Sequence, residues 1–319
     1  MTDSLDDLLA HLPPEEDLPE GHKSGFVAVI GHPNVGKSTL MNAILGEKIA
    51  IVSPKPQTTR LRQLGILTRE DAQIIFVDTP GIHNPRNALG EFMVQVAVDA
   101  LRDADVILFM VDVSAPPTHE DRQIADLIHE AEDVTPVLLV QNKVDLVDGP
   151  DKLTANSEAH RALVPAAEWL TTIAKTGEGV PALLQHLIER LPPGPRYYPE
   201  DQLSDTAMRD IVAEMVREKV LLNLDQEVPY GVATEVNEFK RRSEDLTYIS
   251  ATIYVERDSH KGIVIGKGGK MLKTISQQAR EEIEAFVDTR VYLELWVKVL
   301  KNWRRDENAL RRLGYRIPK

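Results

Sequence analysis

The stretch "FVAVIGHPNVGKSTL" (Phe26–Leu40) decides the fold. An apolar run leads into G-x-x-x-x-G-K-S (Gly31–Ser38) and then into a helical pattern, the strand–loop–helix context in which such a loop cradles phosphate. Gly31 and Gly36 let the backbone turn so that the N–H groups of His32, Asn34 and Val35, with Pro33 between them supplying none, converge on anionic oxygens. The helix that carries Thr39 adds the partial positive charge of its N-terminus. Lys37 can reach the outer phosphates, and the Ser38 hydroxyl can ligate Mg²⁺.

Three further apolar runs end in loops: "IIFVDTPG", "VILFMVDV" and "PVLLVQNKVD". Runs of this kind, alternating with amphipathic stretches such as "THEDRQIADLIHEAED", suit a mostly parallel sheet covered on both faces. Residues 25–191 are therefore read as an α/β doubly wound domain with its ligand at the carboxyl ends of the strands.

The chemistry-bearing segments fall at those ends. In "DTPG" (Asp78, Thr79, Pro80, Gly81), Asp78 can hold Mg²⁺ through water and the Gly81 N–H can meet a γ-phosphate. In "NKVD", Asn142 and Lys143 lead to Asp145, whose carboxylate can accept two hydrogen bonds from guanine. Adenine would leave it unsatisfied, a penalty of several kcal/mol. The ligand is GTP or GDP. "QTTR" (Gln57–Arg60) reads as a switch segment whose Thr59, rather than Thr58, closes onto Mg²⁺. "IAKTG" supplies the Ala174 N–H, with Lys175 beside it, over the base. No general base is assigned; transition-state stabilisation falls to Lys37, Thr59 and Gly81.

The chain has 319 residues, room for two domains, and 42% hydrophobic composition, which argues against global disorder. With no cysteine, a disulfide framework, a thiolate metal site and a cysteine nucleophile are excluded. No apolar run approaches the roughly 18 residues needed to span a bilayer. The net charge of −13 is unevenly spread: residues 1–25 carry seven acidic and one basic side chain, whereas residues 260–319 carry seven acidic and fourteen basic. Residues 1–24 read as a flexible acidic tail, with a short helix conceivable at "DSLDDLLAHL". The basic end suggests a polyanion partner.

Prolines crowd "LPPGPRYYPEDQ", so residues 192–202 read as a semi-rigid linker. Residues 203–319 then follow as helix, two strands, a second glycine-lysine loop, helix and strand. That loop, "IVIGKGGKML", lacks the G-K-[ST] ending, so it cannot repeat the Mg²⁺ chemistry. It resembles the G-x-x-G of a KH module, which clamps the backbone of about four unpaired nucleotides. Ile265, Gly266, Lys267, Gly268, Gly269, Lys270 and Lys273 form that candidate RNA site, with Arg304 and Arg305 in the basic stretch beyond it. Tyr292, Trp296 and Trp303 are interleaved with the basic residues, although strand alternation leaves packing open for Trp296.

In this order the motifs resemble a translation-factor-related P-loop GTPase, and their versions, "GHPNVGKST", "QTTR" and "DTPGIH", resemble the Era family. "GPRYYPEDQLSD" and "NWRRDENALRRLGY" extend the resemblance from about Gly25 to Lys319. It implies a P-loop GTPase domain followed by an α+β KH domain of type II. It also implies binding to the 3′ region of 16S ribosomal RNA and a role in assembly of the small (30S) ribosomal subunit. A cytoplasmic monomer is expected, with peripheral contact at the inner face of the cell membrane as a further expectation. Ile173 stands where the family usually has serine, so the loop loses a bracing hydroxyl. Ile82 stands where Ras-like enzymes place a water-orienting glutamine, which implies slow intrinsic hydrolysis. Relatives that use K⁺ have an asparagine at the position of Asn34; here that residue either binds the cation or stabilises the turn.

The leading alternative is a membrane-surface signalling GTPase whose basic end meets acidic lipid. Lipid needs charge but not G-x-x-G. A tRNA-modifying GTPase would bring a terminal cysteine, and the factor with tandem GTPase domains would lack the second glycine loop.

Overall fold

The computed structural model describes residues 18–315 apart from 56–57, 83–84, 86 and 131–134. Most of the acidic stretch, including the helix considered at its start, and Gln57 therefore lie outside the described residues. No helix among the described residues is long and apolar enough to cross a membrane.

The first unit is a six-stranded sheet built from β1 (Lys23–Ile30), β2 (Gln63–Thr68), β3 (Ala72–Asp78), β4 (Val106–Asp112), β5 (Val137–Asn142) and β6 (Glu168–Thr172). The spatial order is β2-β3-β1-β4-β5-β6, with only β2 antiparallel to its neighbour. Residues of β1, β3, β4 and β5 are almost all buried because helices cover both faces, as their unbroken apolar runs require. One layer holds α1 (Lys37–Leu45) and α5 (Val180–Arg190) against Val27, Val29, Ile74 and Leu108. The other packs α2 (Ala88–Arg102), α3 (His119–His129) and α4 (Pro150–Arg161) against the opposite face. Both edge strands escape the sequence reading. β6 is the more exposed, with the pattern exposed–exposed–half–exposed–buried.

β1 begins at Lys23, inside the stretch read as tail. The proline-rich segment is not a free tether. Ser24 N–H donates to Pro192 O and Gly194 N–H to His22 O. The Gln73 amide oxygen accepts the N–H groups of Tyr197 and Tyr198, and its Nε2 donates to Tyr198 O. Beyond the prolines, Ile66 N–H donates to Leu203 O and the Ser204 hydroxyl donates to Leu64 O, so the chain lies along the outer edge of β2.

The second unit packs α6 (Met208–Asn223) and α8 (Lys270–Val287) on one face of a sheet made of β7 (Ala233–Ser243), β8 (Leu246–Val255) and β9 (Arg290–Val299). β7 is antiparallel and β9 parallel to β8. The short α7 (Asp258–Ile265) and α8 flank the second glycine loop, and α9 (Glu307–Arg312) closes the described chain. The order helix, two strands, glycine loop between helices and strand is the one read from the sequence.

The two units share a core. Leu89, Phe92 and Met93 of α2 meet Ala233, Tyr254, Trp303, Leu310 and Tyr315. Trp303 is fully buried: its indole N–H donates to Gly231 O at 2.9 Å, Tyr315 stacks on it, and the Arg60 guanidinium lies 5.7 Å from its ring centroid. Its place among the basic residues suggests nucleic-acid contact; it is instead an anchor between the units.

Trp303→Ala should cost about 3–5 kcal/mol, as for other large buried aromatics. In scanning calorimetry the variant should show separated transitions for the two units where the parent unfolds with coincident ones.

Candidate nucleotide site and RNA interface

The first glycine loop is held by what surrounds it. A Cβ on Gly31 would overlap the Met110 carbonyl, one on Gly36 would overlap the Asn142 amide, and Gly36 has φ 111°. Only glycine fits at either place. The loop borders a cavity of about 560 Å³, a size common for small-ligand sites. Its lining brings together Pro33, Asn34, Gly36, Lys37, Ser38, Thr39, Thr59, Gly81, Asn142, Lys143, Asp145, Ala174 and Lys175. His32 points elsewhere, toward Asp121, at 3.8 Å. Ile173, from the loop expected to close over the base, lines the cavity as well, and so do Ile51, Val52, Ser53, Pro54 and Leu146, which were not anticipated. The run "IAIVSP" before "QTTR" reads as an ordinary apolar segment, so no signal distinguished it.

Asp78, at the end of β3, is fully buried. Its Oδ2 accepts the Ser38 hydroxyl at 2.8 Å and lies 3.5 Å from the Thr59 hydroxyl, while the Ser38 and Thr59 oxygens are 3.0 Å apart. The other carboxylate oxygen, Oδ1, has no hydrogen-bond partner. A buried carboxylate oxygen without a donor, beside two hydroxyls, is the all-oxygen set that suits Mg²⁺. Thr58 also lines the cavity, but its hydroxyl is donated to Lys55 O, whereas the Thr59 hydroxyl lies beside Asp78. Burial pushes the Asp78 carboxyl up to about 6, against the opposing pull of Lys37, Ser38 and Thr59. Burial also pulls the Lys37 ammonium down to about 8, while Asp78 resists that shift. Lys37 Nζ donates to Gly31 O and His32 O, which fixes it across the loop.

Asn142 joins the other motifs. Its Nδ2 donates to Val35 O at 2.7 Å, and its Oδ1 accepts the Ala174 N–H at 2.9 Å and the Thr172 hydroxyl at 3.2 Å. The Ala174 N–H, expected to face the base, is thus engaged within the protein. Lys143, at φ 64°, pairs with Asp112 at 2.6 Å, which contributes to holding the Asp112 carboxyl below its ordinary range. Asp145 is exposed at the cavity rim. Thr176 offers a substitute for the missing serine brace: its hydroxyl donates to Ile173 O, as do the N–H groups of Thr176 and Gly177. Ile82 is buried with Ile30, Phe109 and Val111, so it is a core residue. Asn34, at φ 69°, donates its amide to Pro54 O at 2.7 Å and thereby ties the loop to the segment ahead of Thr59.

That segment is gripped on its far side by the second unit. Val52 N–H and Lys48 both reach the Glu218 carboxylate at 2.7 Å, and Lys48 and Lys219 also pair with Glu282. Lys55 donates to Leu221 O at 2.6 Å and to Leu224 O. Arg217, fully buried in α6, donates to Thr58 O, and Arg60 donates to Val232 O at 2.6 Å and Tyr230 O at 3.0 Å.

At the second loop, Gly266, Gly268 and Gly269 all have positive φ. A Cβ on Gly266 would meet Met271 at 2.7 Å, whereas open space lies above Gly268 and Gly269. Lys267, Lys270 and Lys273 are exposed and Ile265 half-buried. Arg305 is exposed, but Arg304, read from the sequence as an RNA contact, is half-buried and paired with Glu256.

Known proteins match this arrangement. A family model described as a 50S ribosome-binding GTPase matches residues 26–143, and a KH-domain model matches 227–304. GTPase Era of Ruminiclostridium cellulolyticum is 49% identical over 298 residues, 93% of this chain and 99% of that protein. A crystal structure of Era with MgGDPNP and nucleotides 1506–1542 of 16S ribosomal RNA superposes with a TM-score of 0.88 at 39% identity, covering 93% of this chain and all of that one. A point variant of Aquifex aeolicus Era bound to GDP·AlF4⁻ gives the same TM-score and identity over 92% of this chain and all of that one.

Burial lowers the pKa of both His32, within the loop, and His160, the buried histidine of α4, from the ordinary 6.5. The unfolded chain then binds protons more readily than the folded one, so the stability these groups contribute is complete above about 6.5 and falls as pH drops below it. Asp78 acts in the opposite sense between 3.8 and about 6. Without nucleotide, the urea midpoint should fall between pH 7.5 and 6.0, and less so in His160→Gln. An equal fall in both would remove His160 from the account.

Proposed function

Because the chain belongs to the Era family of GTPases, we propose that it binds the 3′ region of small-subunit ribosomal RNA and serves the assembly of that subunit under control of GTP. It is a GTPase that uses guanine nucleotide and Mg²⁺. In this reading residues 25–191 hold nucleotide, 192–202 connect, and 203–319 hold RNA. The protein works as a cytoplasmic monomer, and any contact with acidic lipid at the inner face of the membrane would draw on the same basic end.

Asp145 selects guanine, the loop from Gly31 to Thr39 wraps the phosphates, and Ser38, Thr59 and Asp78 would hold Mg²⁺. The ion, when bound, offsets charge on the β- and γ-phosphate oxygens. Lys37 supplies a second positive charge from a buried position where it is poorly screened. No side chain at position 82 orients water, so stabilisation rests on Lys37, Thr59 and Gly81. A potassium ion would use the Asn34 carbonyl oxygen. Hydrolysis faster in K⁺ than in Na⁺ for the parent, and equal in both for Asn34→Ala, is the outcome that would assign it.

The observation that carries the GTP control is the segment from Lys48 to Arg60. One side contributes Thr59 to the Asp78 cluster, and the other is clamped by Glu218, Arg217 and the carbonyls of Leu221 and Val232. A γ-phosphate that draws Thr59 inward therefore acts on α6 through direct hydrogen bonds.

Two outcomes test the reading. Asp145→Asn replaces an acceptor by a group that can also donate, so GTP affinity should drop at least a hundredfold while xanthine nucleotide affinity rises. RNA affinity, measured with a ribosomal 3′-end oligonucleotide and a scrambled one, should differ between the GTP-analogue and GDP states. Gly268→Asp should abolish selective binding and leave GTP binding intact. Gly268 has φ 61° with open space above it, so aspartate meets no clash, carries the backbone strain of the left-handed region, which Asp tolerates better than most residues, and faces phosphate with like charge. Equal RNA affinity in both nucleotide states would sink the coupling.

A further inference from the structure

We propose that the open face of the β7-β8-β9 sheet is a second contact for unpaired RNA, apart from the glycine loop. The other face is covered by α6 and α8 on Ile249, Ala251, Ile253, Val291 and Val297. Alternation therefore sends Tyr248, Tyr254, Tyr292, Glu294, Trp296 and Lys298 to the open side. At one end that side is covered, since Tyr254 packs with the core shared between the units and Arg312 lies over its ring.

Toward the other end the aromatic side chains stand free, although Ser250 and Thr252 of the central strand are themselves buried. Tyr292 is 61% and Trp296 53% exposed, among the most exposed large apolar side chains of the described residues. Tyr248 and Tyr292 are register partners with rings stacked at 5.9 Å and 20°, and the Arg242 guanidinium sits 4.6 Å from the Tyr248 ring centroid. Exposed Lys240, Arg242, Arg290 and Lys298 surround these rings. Of the three acids on this face, Glu294 already accepts the Tyr248 hydroxyl at 2.7 Å, Glu235 accepts the Tyr254 hydroxyl at 2.8 Å at the covered end, and Glu238 of β7 stands exposed opposite Ser250.

Flat rings presented by adjacent strands, an arginine stacked on one of them and a rim of cations match unpaired nucleic acid. Bases stack on the rings while the cations follow the phosphates. Among the strand residues alternation places one aliphatic side chain on this face, the half-buried Leu246, too little to fill the dry centre of a protein interface. The occupant assigned here is single-stranded RNA, and in that respect the proposal rests on the RNA reading above.

The test uses the full chain with Trp169→Phe, so that Trp296 is the one exposed tryptophan, Trp303 being buried. An unstructured ribosomal 3′-end oligonucleotide should quench Trp296 fluorescence. Tyr292→Ala/Trp296→Ala should weaken its binding about tenfold or more, and Trp296→Phe should restore most of the loss. In a Gly268→Asp background the quench should persist at higher RNA concentration. Unchanged affinity in the double alanine variant, or a quench abolished by Gly268→Asp at any RNA concentration, overturns the sheet contact and leaves the glycine-loop reading standing. Loss in the alanine variant with no effect of Gly268→Asp supports the sheet contact and removes the glycine loop.

Discussion

The constraint on which the rest depends is the burial of the Asp78 carboxylate at the end of a central strand. A charge so placed must be met by donors or by a cation. Ser38 from one helix start and Thr59 from a distant loop both turn to it. Thr59 can do so only if the chain between α1 and β2 is folded back over the cavity, and that path brings Lys48, Val52, Lys55 and Arg60 against the second unit. The same carboxylate that prepares an ion site therefore dictates where the second unit is gripped.

Much of this arrangement was legible because phosphate recognition and buried strands leave local marks. The strand–loop–helix at Phe26–Leu40, the asparagine-led base motif at the end of β5 and the glycine pair between α7 and α8 each place a residue type that local backbone geometry demands. The preference for Thr59 over Thr58 also agrees with the hydroxyl geometry. Other features leave no local mark. β2, though largely buried, has only the short run Leu64–Leu67 with a glycine inside it, and β6 is largely exposed, so neither shows the unbroken apolar run of the central strands. Arg217 and Glu218 look like solvated charges in the middle of an amphipathic helix, and only the opposing segment makes them buried partners. Trp303 beside Arg304 and Arg305 has the composition of a nucleic-acid contact, yet tertiary packing turned the indole inward and paired Arg304 with Glu256.

Asn142 shows how one side chain can serve several motifs that the sequence presents separately. With its amide spanning Val35 and its carbonyl oxygen holding Ala174 and Thr172, phosphate loop, base motif and closing loop form one hydrogen-bonded frame. Rigidity there reduces the ordering that a nucleotide must impose when it binds. The segment from Lys48 to Arg60 is built differently: Lys48, Val52, Lys55 and Arg60 are each held by charged or carbonyl contacts to the second unit, so a ligand that moves Thr59 works against those contacts rather than against the frame.

The proline-rich stretch has a consequence of another kind. β2 is the outermost strand on its side, and its N–H and C=O groups would offer a template for any passing strand. Leu203 and Ser204 occupy two of those groups, at Ile66 and Leu64, and the prolines just before them cannot donate to a foreign ladder. The connector between the units is thereby also a guard against intermolecular sheet growth. During synthesis that guard arrives only after the whole nucleotide unit has emerged, which leaves β2 open to aggregation for the time the ribosome needs to reach it.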